Sequence, residues 1–182
     1  MPHPLVDTAS TDQEPEAFLR SIGQIAAKFG EQTQDSGNIS YGVRVDEKMY
    51  FVKTAGHPYN SQSYFPHTGR VALLRNAVAL RRSVEHKTLP ALYNTIESPH
   101  GPLLVYEWVA GFLLNVKSQH RDDPEQPYMR FRHLPSKEII SALYQIYEAH
   151  SILAATGWVA IDFYDGLLIY DFAEQRIRLI DV

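Results

Sequence analysis

The segment 160–182, AIDFYDGLLIYDFAEQRIRLIDV, constrains the fold more than any other part of the chain. Two apolar runs, at 167–170 and 177–180, flank a polar turn. Short apolar runs joined by a short polar turn are typical of a β-hairpin. Asp162 comes just before this hairpin and Asp181 just after it. We therefore expect the hairpin to set the two carboxylates at a fixed spacing at one of its ends.

Two carboxylates placed in this way can divide the work of phosphoryl transfer. One orients an attacking hydroxyl, and the other holds Mg²⁺ on the phosphates. The same layout also occurs in hairpins that carry no chemistry, so the pattern by itself is a hypothesis that needs its structural context.

Composition narrows the class of protein. The 182 residues fit one domain, or one domain with a fragment, and 45% of them are apolar. A net charge of −4 does not favour nucleic acid as a partner. No cysteine is present, which excludes disulfides and thiolate chemistry. The N-terminus lacks the pattern of a signal peptide, and no apolar run approaches the ~20 residues of a membrane span. We expect a cytoplasmic protein without a membrane partner.

Hydrophobic periodicity predicts an α+β fold, since strands cluster early and helices late. We expect a loose leader at 1–15 and a polar, irregular stretch at 116–133. The predicted helices are 16–29, 70–84 and 136–156. The predicted strands before the closing hairpin are 39–45, 49–53, 91–96 and 103–107.

Lys53 ends one predicted strand, and Gly37-Asn38-Ile39 leads into the strand before it. A turn of glycine and asparagine lets backbone N–H groups approach a phosphate. A lysine at the end of the paired strand can then hold the α- and β-phosphates. The alternative is a solvated lysine at a strand end.

The strand 103–107 runs into a short linker, Trp108-Val109-Ala110-Gly111. This segment, LLVYEWVAG, is either a connection between two lobes or a strand that ends in a turn around a tryptophan.

Taken in order, these segments resemble the protein-kinase superfamily, in its bacterial Ser/Thr type, over about residues 30–182. The resemblance implies ATP and Mg²⁺ as cofactors and a protein or small-molecule hydroxyl as acceptor. By the same resemblance, Asp162 is the catalytic-loop aspartate and Asp181 the metal-binding aspartate. The implied nucleotide-binding residues are Gly37, Asn38 and Ile39 in the Gly-rich loop, Lys53 on the third strand, the gatekeeper Tyr106, and Glu107 and Val109 in the hinge.

The resemblance also implies a division of the chain. Residues 16–111 would form a nucleotide-binding N-lobe, an antiparallel sheet plus one helix, followed by the hinge. Residues 112–182 would begin a helical C-lobe that is truncated just after the metal-binding aspartate.

Several positions depart from the family pattern. Gln32 and Gln34 replace earlier glycines, Ala160 and Ile161 replace His-Arg, Leu167 replaces the metal-binding asparagine, Val182 replaces phenylalanine, and the helix glutamate falls at Asn76 or Ala77. Asp165 or Asp171 is the available substitute for the missing asparagine. These departures keep two alternatives open: a pseudokinase or nucleotide-binding interaction module, and a small-molecule kinase of the aminoglycoside or choline type.

Overall fold

The computed structural model describes residues 2–30, 36–59 and 63–181. These residues form two units. Unit 1 contains the chain up to Arg82 together with Ala91–Trp108, and unit 2 contains Ser83–Pro90 together with the chain from Val109 onwards. The main segments of the two units meet after Trp108, and the short segment Ser83–Pro90 belongs to unit 2. The lobe boundary after Gly111 stays a prediction.

Unit 1 is built on a five-stranded antiparallel sheet with the strand order β1-β2-β3-β5-β4. Its strands are β1 (Gln24–Phe29), β2 (Ile39–Val45), β3 (Lys48–Thr54), β4 (Leu92–Ile96) and β5 (Leu103–Glu107). The first two helices are α1 (Pro15–Ile22) and α2 (His67–Ser83). The predicted α+β class is confirmed, and four predicted strands and the second predicted helix appear close to their expected bounds.

The two faces of this sheet carry separate apolar clusters. Leu103 and Val105 of β5 pack in one cluster with Leu5 and Phe18, whereas Leu104 packs in the other with Leu74 of α2. Alternation along a strand produces this division, because successive side chains point to opposite faces. Helix α1 therefore covers one face of the sheet and α2 covers the other.

The N-terminal segment is packed, which corrects the prediction of a loose leader. Leu5 is fully buried in the cluster that contains Leu19 and Val43. The side-chain amide of Asn94 donates to the carbonyls of Leu5 and Thr8 at 2.9 and 2.7 Å. The sequence predicts a loose segment because most of its residues are polar or proline, and the burial of Leu5 depends on contacts with the folded sheet.

We expect Leu5→Ala to lower the free energy of unfolding by about 2–5 kcal/mol, because it removes a fully buried side chain and leaves a cavity. Leu73→Ala is the matched control, since Leu73 is 47% exposed on α2 and should cost less than about 0.5 kcal/mol. Denaturant unfolding of both variants measures the difference. Equal, small losses would mean that the N-terminal segment does not complete the core.

The predicted helix 16–29 is wrong in its second half. Helix α1 ends at Ile22, and residues 24–29 form β1, which pairs with β2 from Gln24–Arg44 to Phe29–Ser40. Gly23 is extended, with φ −169°, and a Cβ at this position would lie 2.5 Å from the carbonyl oxygen of Arg44. The backbone of Gly23 therefore lies close to β2, and pairing with β2 makes residues 24–29 a strand although their local pattern favours a helix.

Unit 2 contains a three-stranded antiparallel sheet in the order β6-β7-β8. Its strands are β6 (Phe112–Leu113), β7 (Leu168–Asp171) and β8 (Arg176–Leu179), and its helices are α3 (Pro127–Arg132) and α4 (Ser136–Ala155). The core joins Ala142 of α4 to Leu114, Tyr170 and Ile177. The predicted closing hairpin and last helix are confirmed.

The stretch 116–133, which was expected to be irregular, contains the short helix α3, with Pro127 in its first turn. Phe131 of α3 packs against Tyr170, with ring centroids 4.9 Å apart. This contact with the core explains how so short a helix is held. No helix in the described ranges is both long enough and apolar enough to cross a bilayer.

Candidate functional site

The turn that precedes β2 lies beside the end of β3. In the β2–β3 ladder, Ile39 pairs with Thr54, and the next pair joins Ser40 to Lys53. The hydroxyl of Thr54 donates to the carbonyl of Ile39 at 2.8 Å, which fastens the start of β2 to the end of β3. Lys53 therefore lies next to the segment 37–39, which we call the Gly37 turn.

Lys53 faces α2. Directly opposed residues of an antiparallel ladder point to the same face, and Lys53 is opposed by Ser40 on β2 and by Leu104 on β5. Leu104 packs with Leu74 of α2. The half-buried Lys53 thus rises from the face of the sheet that α2 covers.

Two buried oxygens near Lys53 have no hydrogen-bond partner in the described part of the chain. They are Oδ1 of Asn38 and Oγ of Ser40. Asn38 is 8% exposed and Ser40 is fully buried. Since nearly all buried polar groups in proteins are hydrogen-bonded, these two atoms indicate a place where a ligand or water completes the network.

Glycine backbones bring the Gly37 turn against the loop that follows β3. Gly37 has φ +80° and Gly56 has φ +69°, in the left-handed region that favours glycine. A Cβ on Gly56 would overlap the carbonyl oxygen of Gly37, and a Cβ on Gly37 would overlap the side chain of Ser63. This crowding fixes the position of the turn.

Arg70, in the first turn of α2, holds the same loop together and is fully buried. Its guanidinium donates to the carbonyls of Ala55 (2.7 Å), His57 (2.7 Å) and Phe65 (2.9 Å) and to the hydroxyl of Ser63. We call this set of bonds the Arg70 clasp. Sequence reasoning missed it, because an arginine at the start of an amphipathic helix carries no distinctive motif.

Two titratable side chains near the clasp, Arg70 and His67, have shifted pKa values. Burial lowers the pKa of Arg70 from its ordinary value, but a guanidinium stays protonated in proteins. Burial is also the largest cause that lowers the pKa of His67, with a further contribution from the charge of Arg70. His67 is therefore neutral at pH 7 and adds no charge to this region.

The predicted hinge residues occupy the end of β5 and the boundary of unit 1. Glu107 donates its N–H to the carbonyl of Ala91 at 2.9 Å and accepts the N–H of Ala91 on its carboxylate at 3.1 Å. The N–H of Glu107 is therefore not available to a nucleotide base. Tyr106 is half-buried opposite Phe51, and Val109 begins the main segment of unit 2.

In unit 2, the closing hairpin brings Asp181 beside the end of the loop that carries Asp162. The N–H of Ile180 donates to the carbonyl of Leu167 at 2.9 Å, next to the Leu168–Leu179 pair. Asp162 and Asp181 are both exposed. Asp181 has φ +60°, a conformation that aspartate tolerates better than most residues. Lys53 belongs to unit 1 and the two aspartates belong to unit 2.

An aromatic contact holds Phe163, the residue that follows Asp162. Phe163 packs against the imidazole of His150 on α4, with ring centroids 4.5 Å apart. Nδ1 of His150 is bonded to the carbonyl of Ile146 at 2.8 Å, which fixes the ring against its own helix. The residue after Asp162 is thus anchored to the longest helix of unit 2.

The two proposed substitutes for the missing asparagine differ in availability. Oδ1 of Asp171 accepts the N–H groups of Ala173 and Glu174 at 2.9 and 3.1 Å, so it serves the β7–β8 turn. Asp165 accepts a long bond of 3.3 Å from the amide of Asn115. Across the described ranges, no three or more His, Asp or Glu side chains are grouped so that they hold a metal ion.

The α2 positions that match the family's glutamate cannot supply a carboxylate. Asn76 is exposed, and Ala77 packs on the apolar cluster around Leu74. Glu85 is the next glutamate along the chain. It follows the end of helix α2 at Ser83 and lies in the segment assigned to unit 2.

Gln32, Gln34 and Val182, which also depart from the family pattern, lie outside the described residues. A scan of the sequence against protein-family models found no match, and a search of the curated proteins found none either.

Proposed function

We propose that the chain is an ATP-dependent phosphotransferase of the protein-kinase-like type. The observation that carries the proposal is the β2–β3 register, which sets Lys53 opposite Ser40 beside the Gly37 turn. A lysine next to a glycine turn and two unfilled buried oxygens suits an anionic, hydrogen-bonding ligand such as a nucleotide polyphosphate. The five-stranded antiparallel sheet with α2 on one face also supports the proposal.

The proposed roles follow from the resemblance. Backbone N–H groups of the Gly37 turn and the ammonium group of Lys53 bind the phosphates. The carboxylate of Asp162 orients the acceptor hydroxyl and takes its proton as the acceptor oxygen bonds to the γ-phosphorus and the bond from that phosphorus to the β-phosphate oxygen breaks, which releases ADP. Catalysis then consists mainly of positioning and charge neutralisation.

Asp181 is the proposed ligand for Mg²⁺, which when bound neutralises charge on the phosphates. Leu167 has no atom that can bind a metal ion, and the carboxylate of Asp171 is bonded within its own turn. Asp165 is therefore the better candidate for the second ligand. Its bond to Asn115 is long, so little is lost when the carboxylate turns toward a metal ion.

The acceptor is either a protein serine or threonine or a small-molecule hydroxyl, as in aminoglycoside or choline kinases. We propose the protein acceptor first because the resemblance is to the Ser/Thr type, and a transfer assay with both classes of acceptor decides between them.

A second candidate function is a nucleotide-binding module without transfer activity. Two observations favour it. Leu167, at the position of the family's metal-binding asparagine, is only 9% exposed, and Ala77 faces an apolar cluster instead of pairing with Lys53. Such a protein would bind ATP through unit 1 and lack the groups that complete the reaction.

Mg-ATP should raise the melting temperature, and Lys53→Met should weaken Mg-ATP binding about ten- to a hundredfold by removing a charge-assisted bond. Lys48→Met is the control, because Lys48 lies at the other end of β3, where its ammonium contacts the Tyr50 and Tyr93 rings. A second assay follows transfer of labelled γ-phosphate. Binding with transfer supports the enzyme, binding alone supports the module, and no binding overturns both.

A further inference from the structure

The Arg70 clasp contains a buried charge that no carboxylate of the described residues neutralises. Arg70 is fully buried, and its four hydrogen bonds within the described ranges all go to neutral acceptors. Within the described ranges it forms no ion pair. Burying a charge costs free energy unless hydrogen bonds or an opposite charge compensate for it. A guanidinium that is buried without an ion pair therefore suggests a functional role.

This charge lies directly against the Gly37 turn. A Cβ built on Gly37 would come within 2.7 Å of Nη1 of Arg70, so no side chain separates the guanidinium from the backbone of the turn. The next residue, Asn38, carries the buried oxygen without a partner. The turn therefore combines a fixed positive charge with a buried oxygen that no group in the described ranges hydrogen-bonds.

We propose that Arg70 is the positioning residue that makes the Gly37 turn selective for a polyphosphate. It acts in two ways without touching the ligand: its four bonds hold Ala55, His57, Ser63 and Phe65 beside the turn, and its charge favours an anion at the turn. Charges in the protein interior are screened by salt much less than surface charges are, so the effect persists at physiological ionic strength. The inference rests on the proposed nucleotide-binding function.

The sharpest test changes the charge without truncating the clasp. Ser63→Asp places a carboxylate where the Ser63 hydroxyl accepts from Arg70, and Ser63→Asn is the neutral control of nearly the same size. Calorimetric titration measures the affinity of each protein for ATP and for adenosine. We expect Ser63→Asp to bind ATP at least about tenfold more weakly than Ser63→Asn, with adenosine affinity unchanged within about twofold.

Arg70→Met and Arg75→Met extend the test, since Arg75 is an exposed arginine on the same helix, paired with Glu97 at 2.9 Å. Arg70→Met should lose affinity for ATP and keep affinity for adenosine, whereas Arg75→Met should keep both. If Arg70→Met does not fold, the comparison of Ser63→Asp with Ser63→Asn still tests the proposal. Equal ATP affinities of Ser63→Asp and Ser63→Asn, or equal losses of ATP and adenosine, would overturn the proposal and leave Arg70 a purely structural role.

Failure of the proposed function gives a different pattern. If the wild type binds neither ATP nor adenosine, nucleotide binding is wrong, and titration with inorganic tripolyphosphate then tests the anion site by itself. Tripolyphosphate binding that Ser63→Asp weakens and Ser63→Asn retains would support the role of Arg70. Absence of tripolyphosphate binding by the wild type would overturn it.

Discussion

Asp162→Asn is expected to reduce γ-phosphate transfer by about 10²–10⁴-fold and to leave Mg-ATP affinity within about twofold. The amide keeps the size of the carboxylate, but it cannot take the proton of the acceptor hydroxyl. Asp162 is exposed, and the residue after it is anchored by the contact between Phe163 and His150, so the substitution should not disturb the fold. Initial rates of transfer, with both protein and small-molecule acceptors, measure the effect.

Asp123→Asn is the matched control for this prediction. The carboxylate of Asp123 accepts the N–H of Glu125 at 3.0 Å and the amide of Gln126 at 3.1 Å, so it serves a surface turn. Transfer by Asp123→Asn should equal that of the wild type. Full transfer by Asp162→Asn would remove Asp162 from the reaction and contradict the resemblance on which its role depends.

The closing hairpin was predictable because its determinants are local. The apolar runs that form β7 and β8 flank a turn in which Asp171 accepts two backbone N–H groups, and this turn sets the register from Asp171–Arg176 to Leu168–Leu179. The same reasoning applies to β2 and β3, which the tight turn at Asp46 joins. A short turn fixes the strand register, so the neighbourhood of Lys53 and the Gly37 turn could be expected from the sequence.

Strand β1 and the N-terminal segment could not be predicted, because distant contacts determine both. Residues 24–29 continue an apolar spacing that suits a helix, yet pairing with β2 satisfies their backbone groups in a sheet instead. Leu5 is one apolar residue in a polar segment, and its burial depends on Asn94, which holds two carbonyls of that segment. Local propensity gives way where tertiary contacts compete with it.

Some residues of the candidate site were also predicted from the sequence, whereas others were missed. Lys53, Asp162 and Asp181 are site predictions that depend on the resemblance, because it assigns roles to residues at fixed places along the chain. Arg70, Gly56 and Ser63 were missed because their importance comes from a meeting of three loop segments and a helix end. No spacing in the sequence records that Gly56 touches the carbonyl of Gly37.

Gly56→Ala is expected to lower the free energy of unfolding by about 2–5 kcal/mol. A left-handed conformation costs a non-glycine residue about 1–2 kcal/mol, and an extra methyl group in a packed site costs about 1–3 kcal/mol more. Gly56 has φ +69°, and its Cβ would overlap the carbonyl oxygen of Gly37. Backbone atoms cannot turn aside as the end of a side chain can, so the clash must displace the Gly37 turn.

Gly101→Ala is the control for Gly56→Ala in the same unit, because it has the conformational cost of a left-handed residue without a clash against backbone atoms. Gly101 has φ +92°, and the nearest atom to its Cβ is a methyl group of Val71 at 2.7 Å, which can move slightly. We expect a smaller loss, about 1–2 kcal/mol, because the conformational cost remains and the clash is relieved. Guanidinium unfolding, followed by the fluorescence of Trp108 in a Trp158→Phe background, compares the two variants.

Ligand binding adds a second measurement to the same pair of variants. A displaced Gly37 turn should weaken Mg-ATP binding in Gly56→Ala, whereas Gly101→Ala, which alters the turn between β4 and β5, should retain it. If Gly56→Ala is as stable as Gly101→Ala and binds Mg-ATP equally well, the contact between Gly56 and Gly37 does not fix the turn. The register of β2 and β3 would then position Lys53 without giving it a preformed phosphate-binding partner.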